Sequence, residues 1–332
     1  MNSEPTVSVI IPTRNRAAML QEAIESVRAQ TYRAWELIVI DDGSTDQTPQ
    51  IVETLARDEA RIRLIRQAQH GVSAARNAGI RAARGRYVAF LDDDDLFLPE
   101  KLTVQIACLE RQPSLGFVYS QTEWVNRQGE SLGRHPTTPV GDLRGLLEEC
   151  AIPLQTVVCR RERLEQVGGF DESLSIGEDY DLWLRVARIA SFQFIPGPLV
   201  RYRVHGANTC NDNLRLYEQR AVVLSKVPLD PARGITRWVK RQRLGENAYR
   251  LARLYRDRGE AWRAGAHLWQ AVIQYPLIGM MVAEPTPTGW RVLWMAVKPY
   301  AAILLCGVRA LRGVVVAGLT FGGDGKRPVK EI

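Results

Sequence analysis

Four consecutive carboxylates, Asp92-Asp93-Asp94-Asp95, directly follow the apolar run Tyr87-Val88-Ala89-Phe90-Leu91. Adjacent carboxylates repel one another, so the cluster is costly unless a cation or hydrogen-bond donors offset it. Hard oxygen ligands of this kind suit Mg²⁺ or Mn²⁺, which take one or two carboxylates together with substrate phosphates. A solvated acidic loop, or an aspartate capping the next helix, would use the same letters. Position favours the ligand-binding reading. The apolar run reads as a strand of a covered parallel sheet, and in open α/β sheets ligands bind beyond the carboxyl ends of the strands.

Three further polar clusters follow apolar runs. Pro12-Thr13-Arg14-Asn15 closes the first, residues 6–12. Asp41-Asp42-Gly43-Ser44-Thr45-Asp46 follows the second, residues 35–40. A carboxylate there can accept a base N–H or a ribose hydroxyl, or it can belong to an Asp-Gly turn whose Ser44 or Thr45 caps the next helix. Gly71-Val72-Ser73-Ala74-Ala75-Arg76-Asn77-Ala78-Gly79 offers a helix N-terminus and a guanidinium to a diphosphate, or an ordinary capped helix with a surface arginine.

The elements that must position these groups alternate from the start. Strands are expected at residues 6–12, 35–40, 62–65 and 87–91, and helices at 17–30, 48–57 and 73–83. That alternation predicts an α/β fold with a doubly wound, mainly parallel sheet flanked by helices. Beyond Pro99, a helix at 100–111 and a strand at 116–120 precede a Gly-, Pro- and Thr-rich loop at 129–145. A strand at 155–160, helices at 161–167 and 180–190, and strands at 192–195 and 199–204 around Pro196-Gly197-Pro198 come next. The helix at 214–226 closes a first domain, 1–228. Residues 229–332 then form a smaller, basic α-helical region. Within it, helices at 247–258 and 261–274 around Gly259 resemble one tetratricopeptide-like hairpin, a single copy where a solenoid needs three or more. Residues 290–322 are apolar with Trp290, Trp294, Lys298, Arg309 and Arg312 interspersed, which suits either an interfacial helix or the core of a small domain.

The 332 residues allow about two domains. The net charge of +7 is uneven: 17 Lys and Arg face 7 Asp and Glu from Asp230 onward, against 27 and 30 before it. Five widely spaced cysteines without a CxxC pair argue against a disulfide framework or zinc site and for a reducing compartment. The polar N-terminus lacks a signal-peptide core, and no run reaches the roughly 18 uncharged apolar residues of a membrane span. A cytoplasmic protein is expected, peripheral at the membrane if the basic C-terminal region touches lipid.

Taken in order, residues 7–15, 35–46, 71–79 and 90–95 closely resemble the family 2 glycosyltransferases of the GT-A fold. The resemblance continues more weakly to residue 210 and does not cover the rest. It implies an inverting, metal-dependent transfer from a nucleotide-diphosphate sugar, most simply UDP-linked, to a glycan, lipid-linked or other hydroxyl acceptor. Pro12, Thr13 and Asn15 would line the nucleotide pocket, Asp42 would bind the base, and Arg76 would approach the pyrophosphate. Asp92-x-Asp94 matches the metal motif, with Asp94 on Mn²⁺ or Mg²⁺ and with Asp92 and Asp93 on the nucleotide side. Relatives often carry a small residue at the position of Asp93, so the division of labour in the run stays open.

Gly177-Glu178-Asp179-Tyr180-Asp181-Leu182-Trp183 resembles the acceptor-side motif of that family. In that reading Asp179 is the general base, with Glu178 and Trp183 beside the acceptor. The base removes the hydroxyl proton as that oxygen attacks the anomeric carbon opposite the departing diphosphate, which inverts the configuration. The metal and Arg76 would stabilise the leaving charge. Asp179 needs no large pKa shift if proton transfer is late. Read as structure alone, Asp179 favours a helix dipole and Trp183 packs with Val186 and Ala187. His205, in Arg201-Tyr202-Arg203-Val204-His205, either completes the metal shell or touches the diphosphate, or is structural.

Arg237-Trp238 lacks the glutamine of the processive Gln-x-x-Arg-Trp motif, since Gly234 stands there, so single-sugar transfer is expected. A sugar-nucleotide nucleotidyltransferase would need glycines in its first phosphate loop, and Thr13-Arg14-Asn15-Arg16 has none. A non-catalytic scaffold would bind nucleotide without turnover, against the intact set of Asp42, Asp94 and Asp179.

Overall fold

The computed structural model describes residues 5–134, 139–148, 152–205 and 212–276. The chain divides into two compact units, Met1–Asn211 with Asp230–Ile235, and Asp212–Leu229 with Thr236–Ile332.

The first unit opens with β1 (Val7–Thr13), α1 (Ala17–Arg28), β2 (Trp35–Asp42), α2 (Thr48–Asp58), β3 (Ile62–Gln67), α3 (Val72–Ala82) and β4 (Tyr87–Phe90). Every residue of β1, β2 and β4 is buried, which is why they read as unbroken apolar runs rather than alternating ones. The helices instead bury single stripes, such as Leu20, Ala23, Ile24 and Val27 of α1. Helix α3 lies close on β1 because Gly79 has no side chain: a Cβ there would sit 2.4 Å from Ile10 Cγ2.

The unit continues with β5 (Leu96–Phe97), α4 (Lys101–Arg111), β6 (Leu115–Val125), β7 (Ser131–Arg134), α5 (Leu143–Glu148), β8 (Val158–Arg160), α6 (Arg161–Gln166), α7 (Glu178–Ala187) and β9 (Ser191–Arg203). One sheet results, in the order β3-β2-β1-β4-β8-β6-β9-β5, with β7 added at β6. Strands β1 to β4 pair in parallel, as the alternation predicts. The sheet as a whole is mixed, because β8 runs antiparallel to both β4 and β6, and β5 antiparallel to β9.

Several local expectations differ from what folds. The stretch expected as a loop at 129–145 contains β7 and the start of α5, both short enough for their Gly and Pro neighbours to hide them. The strand expected at 155–160 is a 3₁₀ turn over Leu154–Thr156 followed by the three-residue β8. The two strands expected around Pro196-Gly197-Pro198 are the single strand β9. Its pairing with β6 shifts register at Gln121, and Gln121 Oε1 accepts from Gly197 N at 3.2 Å, so the bulge absorbs prolines that cannot donate to a ladder.

The core between β4, β6 and α7 is an aromatic chain. Trp183 lies 6.5 Å from Phe90 and 5.2 Å from Phe117, and Phe117 stacks on Phe192 at 4.8 Å.

The second unit is helical: α8 (Asn213–Lys226), α9 (Arg237–Asp257) and α10 (Ala261–Gln274). Helix α9 starts ten residues before the expected 247, with Thr236 as its side-chain cap to Val239 N. Helices α9 and α10 form the expected hairpin around Gly259, whose φ of 79° suits glycine. The expectation for residues 290–322 lies outside the described residues. Among the described residues no helix is long and apolar enough to cross a membrane.

Candidate active site

Parallel pairing puts the ends of β1, β2 and β4 at one edge of the sheet: Thr13 is in register with Asp41, and Ile10 with Phe90. The polar residues after these strands therefore meet. Thr13 Oγ1 donates to Asp93 Oδ2 at 2.8 Å, and Arg16 Nη1 donates to Asp93 Oδ1 at 3.2 Å and to Asp94 Oδ2. Burial pushes the Asp93 carboxyl up to about 7, with Asp94 and Asp92 adding to the rise and the Thr13 and Arg16 contacts opposing it.

Pro12 and Thr13 are buried in the last two positions of β1. Asn15 follows in the left-handed region, φ 54°, the only described non-glycine residue there. The strained turn serves its side chain: Asn15 Oδ1 accepts from Thr45 N at 2.8 Å, and Asn15 N donates to Ser44 Oγ at 2.9 Å. Asn15 thereby stitches the β1 and β2 loops together. Asp42 is held likewise: Oδ1 accepts from Gln67 Nε2 and His70 N, and Oδ2 from Gly71 N, each at 2.8 Å. Burial alone would raise its carboxyl, but these donors bring it below the usual range. Asp42 keeps a charge in the cleft while fixing the turn that starts α3.

Helix α3 carries the link to the acceptor-side motif. Asn77 Oδ1 accepts from Phe170 N at 2.8 Å, and Asn77 Nδ2 donates to Phe170 O at 2.9 Å and to Glu172 Oε1 at 2.8 Å. Gly169 permits the approach, since a Cβ there would lie 2.5 Å from Asn77 Oδ1. One residue earlier, Arg76 Nη1 donates to Glu178 Oε1 at 2.6 Å and Arg76 Nη2 to Asp92 Oδ1 at 2.7 Å. Arg76 is only 5% exposed and its terminal nitrogens are spent on these carboxylates. It is a brace between the acidic run and α7, not the open diphosphate clamp expected from sequence.

Asp179 stands in the first turn of α7, next to that brace, and its Oδ1 accepts from Tyr180 N at 2.7 Å. Burial, and then the neighbouring charge of Glu178, push its carboxyl up to about 7, with Asp92 adding to the rise. A late proton transfer would not have required this rise, which comes from three acids crowded around one arginine. Glu178 is occupied by Arg76. Trp183 is 0% exposed and packed between Phe90 and Phe117, so its ring has no face to offer a sugar, which corrects the acceptor-side expectation.

His205 joins the acidic run through β9. Buried Asp95 Oδ1 accepts from Arg203 N at 2.9 Å, and two residues later His205 Nε2 lies 3.0 Å from Asp94 Oδ2. That contact is a hydrogen bond, and the same Asp94 oxygen also accepts from Arg16 Nη1. Among the described residues no three His, Cys, Asp or Glu side chains form a metal cage. The pair Asp94 and His205 fits instead a cation completed by substrate phosphates and water.

The sequence carries a matching history. The family model for glycosyl transferase family 2 matches residues 8–150. A glycosyltransferase of Rickettsia prowazekii (strain Madrid E) is 32% identical over 228 residues, 65% of this chain and 69% of that protein. This chain belongs to glycosyl transferase family 2. A further family relative, the UDP-Glc:alpha-D-GlcNAc-diphosphoundecaprenol beta-1,3-glucosyltransferase WfgD of Escherichia coli, is 34% identical over 55% of this chain and 70% of its own length. A glycosyltransferase of Rickettsia felis is 36% identical over 62% of this chain, which spans about a third (34%) of that protein's length. Two solved structures share the fold at 20% identity. TarS of Staphylococcus aureus in complex with UDP superposes with a TM-score of 0.63, covering 93% of this chain and 92% of TarS. The mannosyltransferase PcManGT of Pyrobaculum calidifontis, in complex with GDP-Man and Mn²⁺, superposes with a TM-score of 0.58 over 93% and 88%. The first unit is thus a GT-A fold.

In this family 2 glycosyltransferase, sequence reasoning assigned no role to Arg16, Asn77 or Asp95. Thr13-Arg14-Asn15-Arg16 contains two arginines, and only the left-handed turn at Asn15 determines that Arg16 points into the acidic run. Asp95 reads as one more carboxylate, yet it is the one turned away to hold β9.

Proposed function

We propose that this glycosyltransferase moves a sugar from a nucleotide-diphosphate donor, UDP-linked in the simplest case, to a single acceptor hydroxyl with inversion. The observation that carries the reading is the Arg76 brace, which ties Asp92 to Glu178 and so sets Asp179 beside the acidic strand end. The UDP assignment draws support from the fold shared with a UDP complex and from the donor named for WfgD.

In this reading Asp179 takes the proton from the acceptor oxygen as that oxygen bonds to the anomeric carbon. The bond to the diphosphate oxygen breaks, and the nucleotide diphosphate carries away the electron pair. Asp94 and His205 would hold a divalent cation, which when bound offsets the leaving charge. Arg16, about a third exposed, has the open face that Arg76 lacks and would meet the diphosphate. Asp42, with Pro12, Thr13 and Asn15, would shape the base end of the pocket, and Asp92 and Asp93 its ribose side. Residues 1–228 would carry this chemistry, with 229–332 as an accessory region; the acceptor would be a glycan or lipid-linked hydroxyl.

Release of nucleotide diphosphate from a panel of sugar nucleotides, with Mn²⁺, Mg²⁺ or EDTA, tests the reading. Metal-dependent release from one donor is expected. Failure to bind any sugar nucleotide would overturn it.

A further inference from the structure

Helix α10 has two apolar faces. Ala264, Leu268, Ala271 and Val272 are buried. On the opposite side Trp262, Ala266, Trp269 and Ile273 follow one another at helical spacing and are all exposed. Trp262 is 76% exposed, Trp269 56% and Ile273 49%. A continuous apolar stripe with two tryptophans is not what a helix leaves to water, since such patches mark contact surfaces.

Charge around the stripe favours one class of partner. Exposed Arg253, Arg256 and Arg258 end α9, and exposed Arg263 follows Trp262 on α10. Asp257 pairs with Arg256 and Glu260 with Arg263, so this end of the hairpin keeps a positive excess. At the other end Arg241 bonds the carbonyls of Ile273 and Gln274. Across 212–229 and 236–276, 12 Lys and Arg stand against 5 Asp and Glu. Tryptophans on one face with arginines at its rim are the composition of a helix lying in a headgroup boundary. There the indole body is buried and its N–H stays wet.

We propose that the face formed by Trp262, Ala266, Trp269 and Ile273 docks on an anionic lipid surface, with the arginines of the α9–α10 turn meeting the headgroups. The contact needs neither donor nor acceptor, so its test stands apart from that of the transfer reaction. Full-length protein is sedimented with phosphatidylcholine vesicles with and without phosphatidylglycerol, at low and high salt. Binding to the phosphatidylglycerol vesicles that weakens with salt is expected. The Trp262→Ala/Trp269→Ala variant should lose about tenfold or more in partitioning, and Arg256→Gln/Arg263→Gln should lose the preference for phosphatidylglycerol. Circular dichroism checks that both variants remain folded. Wild-type protein that stays in the supernatant would overturn the proposal. So would a tryptophan variant that sediments like wild type, which would assign binding to another segment. A variant whose only changes are a lower melting temperature or a smaller oligomer would assign the stripe to residues 277–332 or to a second copy.

Discussion

Arg76 Nη1 lies 2.6 Å from Glu178 Oε1, an ion pair that joins α3 to α7 across 102 positions of sequence. Its other terminal nitrogen holds Asp92, so one buried guanidinium fixes both sides of the cleft. Removing it strands two carboxylates. Arg76→Ala is expected to cost about 3 kcal/mol, the low end for a broken buried pair because Asp92 is partly exposed. Arg76→Lys, with one point charge in place of a fork, should recover stability only in part. Denaturant titration checks both, and a loss under about 0.5 kcal/mol for Arg76→Ala would contradict the brace, being no more than a surface change.

The raised carboxyl of Asp179 gives a pH dependence with a definite sign. A general base acts deprotonated, so kcat/KM should rise with pH through about 7 and level off above it. Stability runs the other way. With its folded pKa above the ordinary 3.8, Asp179 contributes stability that is full below 3.8 and lost as pH rises through about 7. Asp179→Asn should therefore be more stable than wild type at pH above 7, with the gain shrinking in acid. Melting curves across that range check the sign.

Asn77 tests whether Asp179 is placed through α3. Asn77→Ala leaves Phe170 N and O without their side-chain partner, a loss of about 1–3 kcal/mol. The turnover number should fall while donor affinity stays close to wild type, because the nucleotide end of the cleft is untouched. Equal losses in both would place Asn77 in general stability instead.

Trp183 separates core from acceptor site. Trp183→Ala should cost about 3–5 kcal/mol, whereas Trp183→Phe should keep the acceptor KM. A large KM rise in the folded Phe variant would return the ring to the acceptor side.

What was legible in the sequence follows from range. Buried parallel strands write themselves as apolar runs, so the ends at Thr13, Asp42 and Asp92 could be read directly. The helix expected at 180–190 is α7, which begins two residues earlier, at Glu178. The staple between Asn77 and Phe170, 93 residues apart, leaves no periodic trace, and neither does the choice of Arg16 over Arg14. The motif marks Arg76 but not its burial, which is a property of the packed α3–α7 junction and not of its neighbours in sequence. Strand β9 reads as two strands because prolines usually end strands, and only the partner β6 reveals the bulge.

The most direct measurement is donor turnover by Asp179→Asn beside wild type at pH 8, with Mn²⁺ present and donor binding measured on the same samples. Donor affinity within about twofold of wild type, with transfer to acceptor reduced by about 10²–10⁴, is the expected result for a general base. Transfer at near wild-type rate would contradict the assignment of Asp179, and with it the proposed chemistry of this cleft.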